Sequence, residues 1–141
     1  MFTGRNQVTL LRGGKALFPA LSDCIDHARR SVWLALYMVS PLGQSGGVLQ
    51  ALQRAARRGV HVHVVVDGFG SREAPDELWK ELEKAGVKLA VYRPMHKIWG
   101  LLDTSQWRRM HVKLCVIDDA HAFVGGINLI DDHYDLTHGW S

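Results

Sequence analysis

One short stretch of the sequence, HVKLCVIDDAHAFVGGIN from His111 to Asn128, carries side chains that suit a phosphate group. His111 is followed two places on by Lys113, and the adjacent Gly125 and Gly126 come shortly before Asn128. A lysine cation neutralises a phosphate, an asparagine amide orients one of its oxygens, and an imidazole attacks phosphorus or moves a proton. Two bare glycines let the main chain approach such a ligand closely. These residue types therefore suit phosphoryl chemistry.

Strand geometry decides which of these side chains share a face. Alternate side chains of a β-strand point the same way, so the pattern predicts His111 and Lys113 side by side. Asp118 has the opposite parity, and we expect it to point away toward the following turn in a structural role. Taken without its full spacing, the pattern is explained more simply by a buried strand whose His and Lys face solvent.

The elements that must position this stretch alternate in hydrophobic period, which is typical of a layered α/β domain. The strand over 31–39 is apolar at nearly every position, so we expect it to be central and covered on both faces. A long irregular segment over 93–109 precedes His111, and a connection of that length is usually functional. The predicted strands are 7–11, 31–39, 60–68, 87–92, 110–117 and 121–126, and the predicted helices are 16–30, 48–59 and 74–86.

The composition bounds the class of protein. With 141 residues, 47% of them hydrophobic and 22% charged, the chain has the make-up of one globular domain. A net charge of +3 and a pI near 9.1 allow an anionic partner without choosing among phosphate, lipid headgroup and nucleic acid. We expect Cys24 and Cys115 to be reduced core residues. The longest apolar run, Val32 to Val39, is far below the roughly 18 residues of a spanning helix, so any membrane contact is expected from the surface.

Two further groups of residues have alternative interpretations. Basic side chains alternate with indoles in the long segment, and this mixture suits the interface of an anionic membrane as well as it suits a solvated basic loop. His61 and His63 share one strand face, but without a third ligand at suitable spacing a solvated face is the better interpretation than a metal site. The membrane or substrate-access candidates are Lys97, Trp99, Trp107, Arg108 and Arg109.

The complete spacing, H-x-K-x4-D-x6-G-G-x-N, is similar to the His-Lys-Asp motif of the phospholipase D superfamily with its trailing Gly-Gly-x-Asn element. The resemblance covers nearly the whole chain. VDGFGS, AGVKLAVYRP, RRMHVKLCVID and AFVGGIN each resemble the N-terminal catalytic half of a bacterial cardiolipin synthase, in the same order. One departure is Val112, where such enzymes commonly carry an arginine.

The resemblance implies a fold and a set of site residues. The fold is a mixed β-sheet flanked by helices on both faces, with residues 1–141 forming a single half-domain that continues past Ser141. The chemistry needs no metal and no cofactor. The implied catalytic residues are His111, Lys113 and Asp118, and the implied phosphate ligands are Lys113, Asn128, Gly125 and Gly126.

The resemblance also implies an activity that one motif cannot complete. A phosphatidyl group would pass through a phosphohistidine to phosphatidylglycerol or a similar alcohol, at the cytoplasmic side of the bacterial membrane, and a second motif would come from another half or from a homodimer partner. A homodimeric phosphodiesterase acting on nucleic acid is the alternative, and a non-catalytic lipid- or phosphate-binding piece is a third. An acid orienting His111 is expected, but we do not assign it to Asp131, Asp132 or Asp135.

Overall fold

The computed structural model describes Gly4 and residues 6–41, 43–72, 74–92 and 110–130. The eight elements follow one another as alternating helices and strands and close with a hairpin. They are α1 (Gly13–Asp26), β1 (Ser31–Leu36), α2 (Gly43–Arg57), β2 (His61–Asp67), α3 (Asp76–Lys84), β3 (Lys88–Tyr92), β4 (Leu114–Ile117) and β5 (His121–Val124).

The five strands form one mixed sheet in the order β3-β2-β1-β4-β5. β1, β2 and β3 run parallel, and each crossover between them contains a helix, as parallel neighbours require. β4 runs antiparallel to β1 and forms an antiparallel hairpin with β5. The α/β class and the central place of the apolar strand β1 are therefore confirmed.

The hydrophobic core lies on one face of this sheet. Along β1 the buried residues Val32 and Leu34 alternate with Trp33, which is 50% exposed. The helices contact one another, α1 with α2 and α2 with α3, and their apolar stripes join the strand residues in a single core cluster. Within the described part of the chain the helices thus form one layer. The prediction that β1 is covered on both faces is wrong among the described residues, because Trp33 is half exposed.

Several predicted boundaries are corrected. The segment 7–11 is not a strand, and its apolar residues Val8 and Leu10 are 92% and 78% exposed. Apolar alternation favours a strand only where a neighbouring strand accepts the main-chain hydrogen bonds, and no described residue pairs with this segment. The first helix is Gly13–Asp26 rather than 16–30, and the second is Gly43–Arg57 rather than 48–59.

The predicted helix stops and reduced cysteines agree with the structure. Gly59 and Gly86 follow their helices with φ of 91° and 102°, a backbone conformation that glycine adopts without strain. Both cysteines are free, and burial raises the pKa of the Cys115 thiol to about 12, which keeps it protonated and unreactive.

Candidate active site

His111 and Lys113 lie immediately before β4, not on it, so the prediction that a regular strand face aligns them is wrong. Tyr37, the first residue after β1, brings them together instead. The His111 ring stacks on the Tyr37 ring with centroids 4.6 Å apart and an interplanar angle of 21°. The Lys113 Nζ lies over the same ring, 5.7 Å from its centroid. This ring forms the floor beneath both side chains.

The sheet register explains why these three residues meet. β1 and β4 are antiparallel with Ala35 opposite Leu114, so the residues that follow β1 lie beside those that precede β4. The Lys113 Nζ also donates a hydrogen bond to the main-chain oxygen of His111 at 3.1 Å. The main-chain oxygen of Lys113 accepts from Gly125 N–H at 3.3 Å, which attaches this segment to the end of the hairpin.

Asn128 reaches the same end of the sheet by a different route. Its Oδ1 accepts a hydrogen bond from the main-chain N–H of Met38 at 3.2 Å. Ser40 N–H donates to the Leu129 oxygen at 2.7 Å, and Val39 and Leu129 form a parallel bridge, so the two segments run alongside each other. Because Oδ1 is engaged by the main chain, the group that Asn128 can offer a phosphate is its Nδ2–H.

The two adjacent glycines border this region. A Cβ added at Gly125 or Gly126 would meet no described atom within 4 Å. Neither glycine is therefore required by a close neighbour in the described structure. The expected use of Gly125 and Gly126 in the approach of a phosphate stays a prediction.

Asp118 lies at the other end of β4. Its carboxylate accepts hydrogen bonds from the main-chain N–H groups of Arg29, Arg30 and Ser31 at 2.9, 2.7 and 2.9 Å. The N–H groups of Ser31 and Arg29 hold the pKa of this carboxyl below its usual value, with desolvation opposing them. Asp118 thus fastens the β4–β5 turn to the start of β1, which is the structural role expected of it, and these contacts do not support its implied catalytic role.

Two residues at the site were missed in the sequence. Tyr37 is hidden inside an apolar run, where nothing distinguishes it from a core aromatic. Asp67, at the end of β2, is fully buried, with 0% exposure, and accepts main-chain hydrogen bonds from Phe69, Gly70 and Met110. An aspartate that closes a buried strand and is followed by Gly68 and Gly70, in VDGFGS, was a usable signal.

The remaining candidates divide into those outside the described residues and those with ordinary contacts. The loop residues Lys97, Trp99, Trp107, Arg108 and Arg109 lie outside the described residues, as do Asp131, Asp132 and Asp135.

His63 has an ordinary contact, since it stacks on Trp33 with centroids 3.9 Å apart. Burial, followed by the nearby Lys88 and His61, lowers the pKa of His63. In the described ranges no group of three or more His, Cys, Asp or Glu side chains is placed to hold a metal ion. No described helix is both long and apolar enough to cross a bilayer.

Comparison with known proteins identifies the class. Over residues 21–138 the chain matches the family described as cardiolipin synthase, PLD-like domain, and it belongs to that family. It is 39% identical over 128 residues to cardiolipin synthase B of Salmonella typhi, covering 91% of this chain and 31% of that protein. The identity to cardiolipin synthase B of Escherichia coli K12 is 36% with the same coverage. The chain thus spans about a third of the length of these relatives.

Solved structures confirm the fold. Nuc of Salmonella typhimurium, a phospholipase D family member, superposes with a TM-score of 0.58 at 19% identity, covering 82% of this chain and 66% of that one. NucT of Helicobacter pylori gives a TM-score of 0.61 at 22% identity, covering 79% and 66%. The phospholipase D-like fold implied by the motif spacing is therefore confirmed.

Proposed function

We propose that this chain supplies one half of the active site of a phosphatidyltransferase of cardiolipin synthase type. The observation that carries the proposal is the convergence of His111, Lys113 and Asn128 at one end of the sheet around Tyr37. The 39% identity to cardiolipin synthase B over most of the chain supports the choice of a phospholipid substrate.

The proposed roles follow from the chemistry of each side chain. A ring nitrogen of His111 attacks phosphorus, so that an N–P bond forms while the P–O bond to the leaving alcohol breaks. Lys113 neutralises the phosphate charge, and the Nδ2–H of Asn128 donates to one of its oxygens. The main chain at Gly125 and Gly126 lets the phosphodiester approach. Transfer to phosphatidylglycerol or a similar alcohol then releases the imidazole.

The proton balance of this reaction needs a second acid–base group, which we propose to be a histidine. The leaving oxygen needs a proton as its bond breaks, and the accepting hydroxyl must lose one as its bond forms. His111 is occupied by the phosphorus throughout, and a positioned acid or base is typically worth about 10² to 10⁴ in rate. We therefore propose that the opposed histidine comes from another part of the full-length protein or from a second copy of this chain.

The proposed substrate places the enzyme at an anionic membrane. The segment that precedes His111 would contact the headgroups through Lys97, Arg108 and Arg109, with Trp99 and Trp107 at the interface. We propose peripheral association with the cytoplasmic side of the bacterial membrane. Neutral replacement of the three cations should weaken sedimentation with phosphatidylglycerol vesicles at low salt, and unchanged sedimentation would contradict this part of the proposal.

A homodimeric phosphodiesterase acting on nucleic acid is the second candidate. It is favoured by the single motif in this chain and by the net charge of +3. The fold that this chain shares with Nuc and NucT is compatible with both proposed functions and does not distinguish between them.

The test is light scattering on the purified chain, with phosphatidyl transfer and diester hydrolysis assayed on the same peak. Phosphatidyl transfer, by a dimer or after addition of the missing half, supports the first proposal. DNA hydrolysis by a dimer without any lipid product supports the second.

A further inference from the structure

Asp67 is a buried carboxylate whose two oxygens hold two segments that are distant in sequence. Its Oδ1 accepts from Phe69 N–H at 2.9 Å and from Gly70 N–H at 3.2 Å, within the loop after β2. Its Oδ2 accepts from Met110 N–H at 3.0 Å, in the residue directly before His111. One fully buried side chain thus connects the loop after β2 to the main chain that carries the proposed nucleophile.

The same loop also fixes the floor of the site. Ser71 N–H donates to the Asp67 main-chain oxygen at 3.0 Å, and Ser71 Oγ donates to the Tyr37 main-chain oxygen at 3.2 Å. A Cβ added at Gly70 would clash with the Tyr37 main-chain oxygen and lie 2.9 Å from the Tyr37 Cδ2. The loop therefore sits against Tyr37 so closely that a side chain at position 70 must displace it.

We propose that Asp67 is the positioning residue of His111. It holds the His111 main chain through Met110 and holds the Tyr37 ring through the loop, so both partners of the stack depend on one carboxylate. The proposal rests on the proposed function for its kinetic consequence, while its structural content, the placement of the His111 ring, is independent of it.

A carboxylate suits this position because its two oxygens together accept three main-chain hydrogen bonds, from Phe69, Gly70 and Met110. An asparagine has the same shape but turns one oxygen into an NH₂ donor, which would face an N–H on one of the two segments. Buried donors that lose their acceptors are costly, so one segment must move. Lys113 is held separately through Gly125, so phosphate binding should change less than the placement of His111.

The test is the isosteric substitution Asp67→Asn in the assembly that completes the site. A displacement near 1 Å can cost about 10²-fold in rate, so we expect kcat per folded enzyme to fall at least 10-fold while KM changes less than about 2-fold. Gly70→Ala, which leaves Asp67 intact but presses on Tyr37, should also lower kcat. The matched control is Asp26→Asn, which removes a carboxylate from the Arg54 pair between α1 and α2.

A second readout separates this inference from the proposed function. The His111 ring stacked on Tyr37 should show ring-current-shifted proton resonances in the wild type, lost in Asp67→Asn and kept in Asp26→Asn. If the wild type has neither transferase nor diesterase activity, the proposed function fails, and the resonances alone decide the inference. Retention of the shifts with kcat unchanged, or a kcat loss that matches the Asp26→Asn control, would overturn it.

Discussion

Two aspartates near β4 each accept three main-chain hydrogen bonds: Asp67 contacts the segment before this strand, and Asp118 lies in the turn after it. Their roles differ. Both carboxylate oxygens of Asp118 accept hydrogen bonds from one continuous segment, Arg29 to Ser31, and the residue lies near the surface. Asp67 divides its oxygens between two segments and is fully buried. The first arrangement fixes a turn to the sheet, whereas the second fixes two parts of a site to each other. The same interaction thus serves stability at one end and placement at the other.

The largest expected difference between substitutions before β4 and after β4 is in the turnover rate. His111→Ala removes the proposed nucleophile, so activity of the assembly should fall by roughly 10³-fold or more. His121→Ala is the matched control, since His121 is an exposed histidine at the start of β5, opposite Ile117 at the other end of the hairpin. Steady-state rates of the two variants test the comparison. Activity of His111→Ala near the wild-type level would contradict the assigned role.

The next largest effect concerns two histidines that stack on aromatic residues from the β1 segment. His111 lies on Tyr37 and His63 on Trp33, with centroids 4.6 and 3.9 Å apart. Tyr37→Leu should lower kcat by about 10-fold because the His111 ring loses its support, and such stacks contribute about 0.5–1.5 kcal/mol. Trp33→Leu removes the equivalent stack away from the site and should leave kcat within about 2-fold. Equal losses in both variants would show that the Tyr37 stack has no special role.

The sequence was sufficient for the parts of the fold that depend on local pattern. The central strand, the helix stops at Gly59 and Gly86, and the turn at Asp118 all follow from period and residue type. Asp118 lies away from His111 because it is in the turn that follows β4, while His111 precedes β4. The segment 7–11 was wrongly predicted as a strand because its apolar pattern is local, whereas a strand also needs a pairing partner, and no described residue pairs with this segment.

The site was predictable only where the motif spacing named its residues. Lys113 and His111 were identified, but their neighbour Tyr37 directly follows β1 and precedes His111 by 74 positions, and only the antiparallel register of β1 and β4 brings them together. Asp67 was missed for the same reason, since its bond to Met110 spans 43 positions of sequence. Long-range contacts of single side chains leave no periodic signal.

A smaller effect is expected on stability at the Asp118 end. Asp118→Asn should lower the free energy of unfolding at pH 7 by about 1 kcal/mol, since charge-assisted bonds to exposed groups are partly replaced by water. Its folded pKa is lowered, so this contribution is complete above the unfolded pKa of about 3.9 and is lost as the pH falls through the folded value. Urea titrations of both proteins at pH 7 and pH 3 measure the difference.

The control for Asp118→Asn is the neighbouring carboxylate. Asp119 lies 3.6 Å from Arg30 in an ion pair whose side chains are 76% and 69% exposed, and such pairs contribute little. Asp119→Asn should therefore change the free energy of unfolding by less than about 0.5 kcal/mol. A loss equal to that of Asp118→Asn, or a difference that persists unchanged at pH 3, would contradict the assignment of the hydrogen bonds to the ionised Asp118.

The smallest expected effect is a gain in the free energy of unfolding from a substitution in the same turn. Asp118 and Asp119 have φ of 53° and 57°, and Ala120 N–H donates to the Ile117 oxygen at 3.0 Å, closing a tight hairpin turn. Left-handed backbone costs an L-residue about 1 kcal/mol, part of which glycine recovers, so Asp119→Gly should raise the free energy of unfolding by about 0.5 kcal/mol. Asp118→Gly keeps the same backbone relief but loses the three main-chain bonds, so it should destabilise the protein. The turnover rate of Asp119→Gly should equal that of the wild type, because residue 119 lies in the turn after β4, remote from His111. A loss of stability in Asp119→Gly would mean that its carboxylate contributes more than its backbone strain costs.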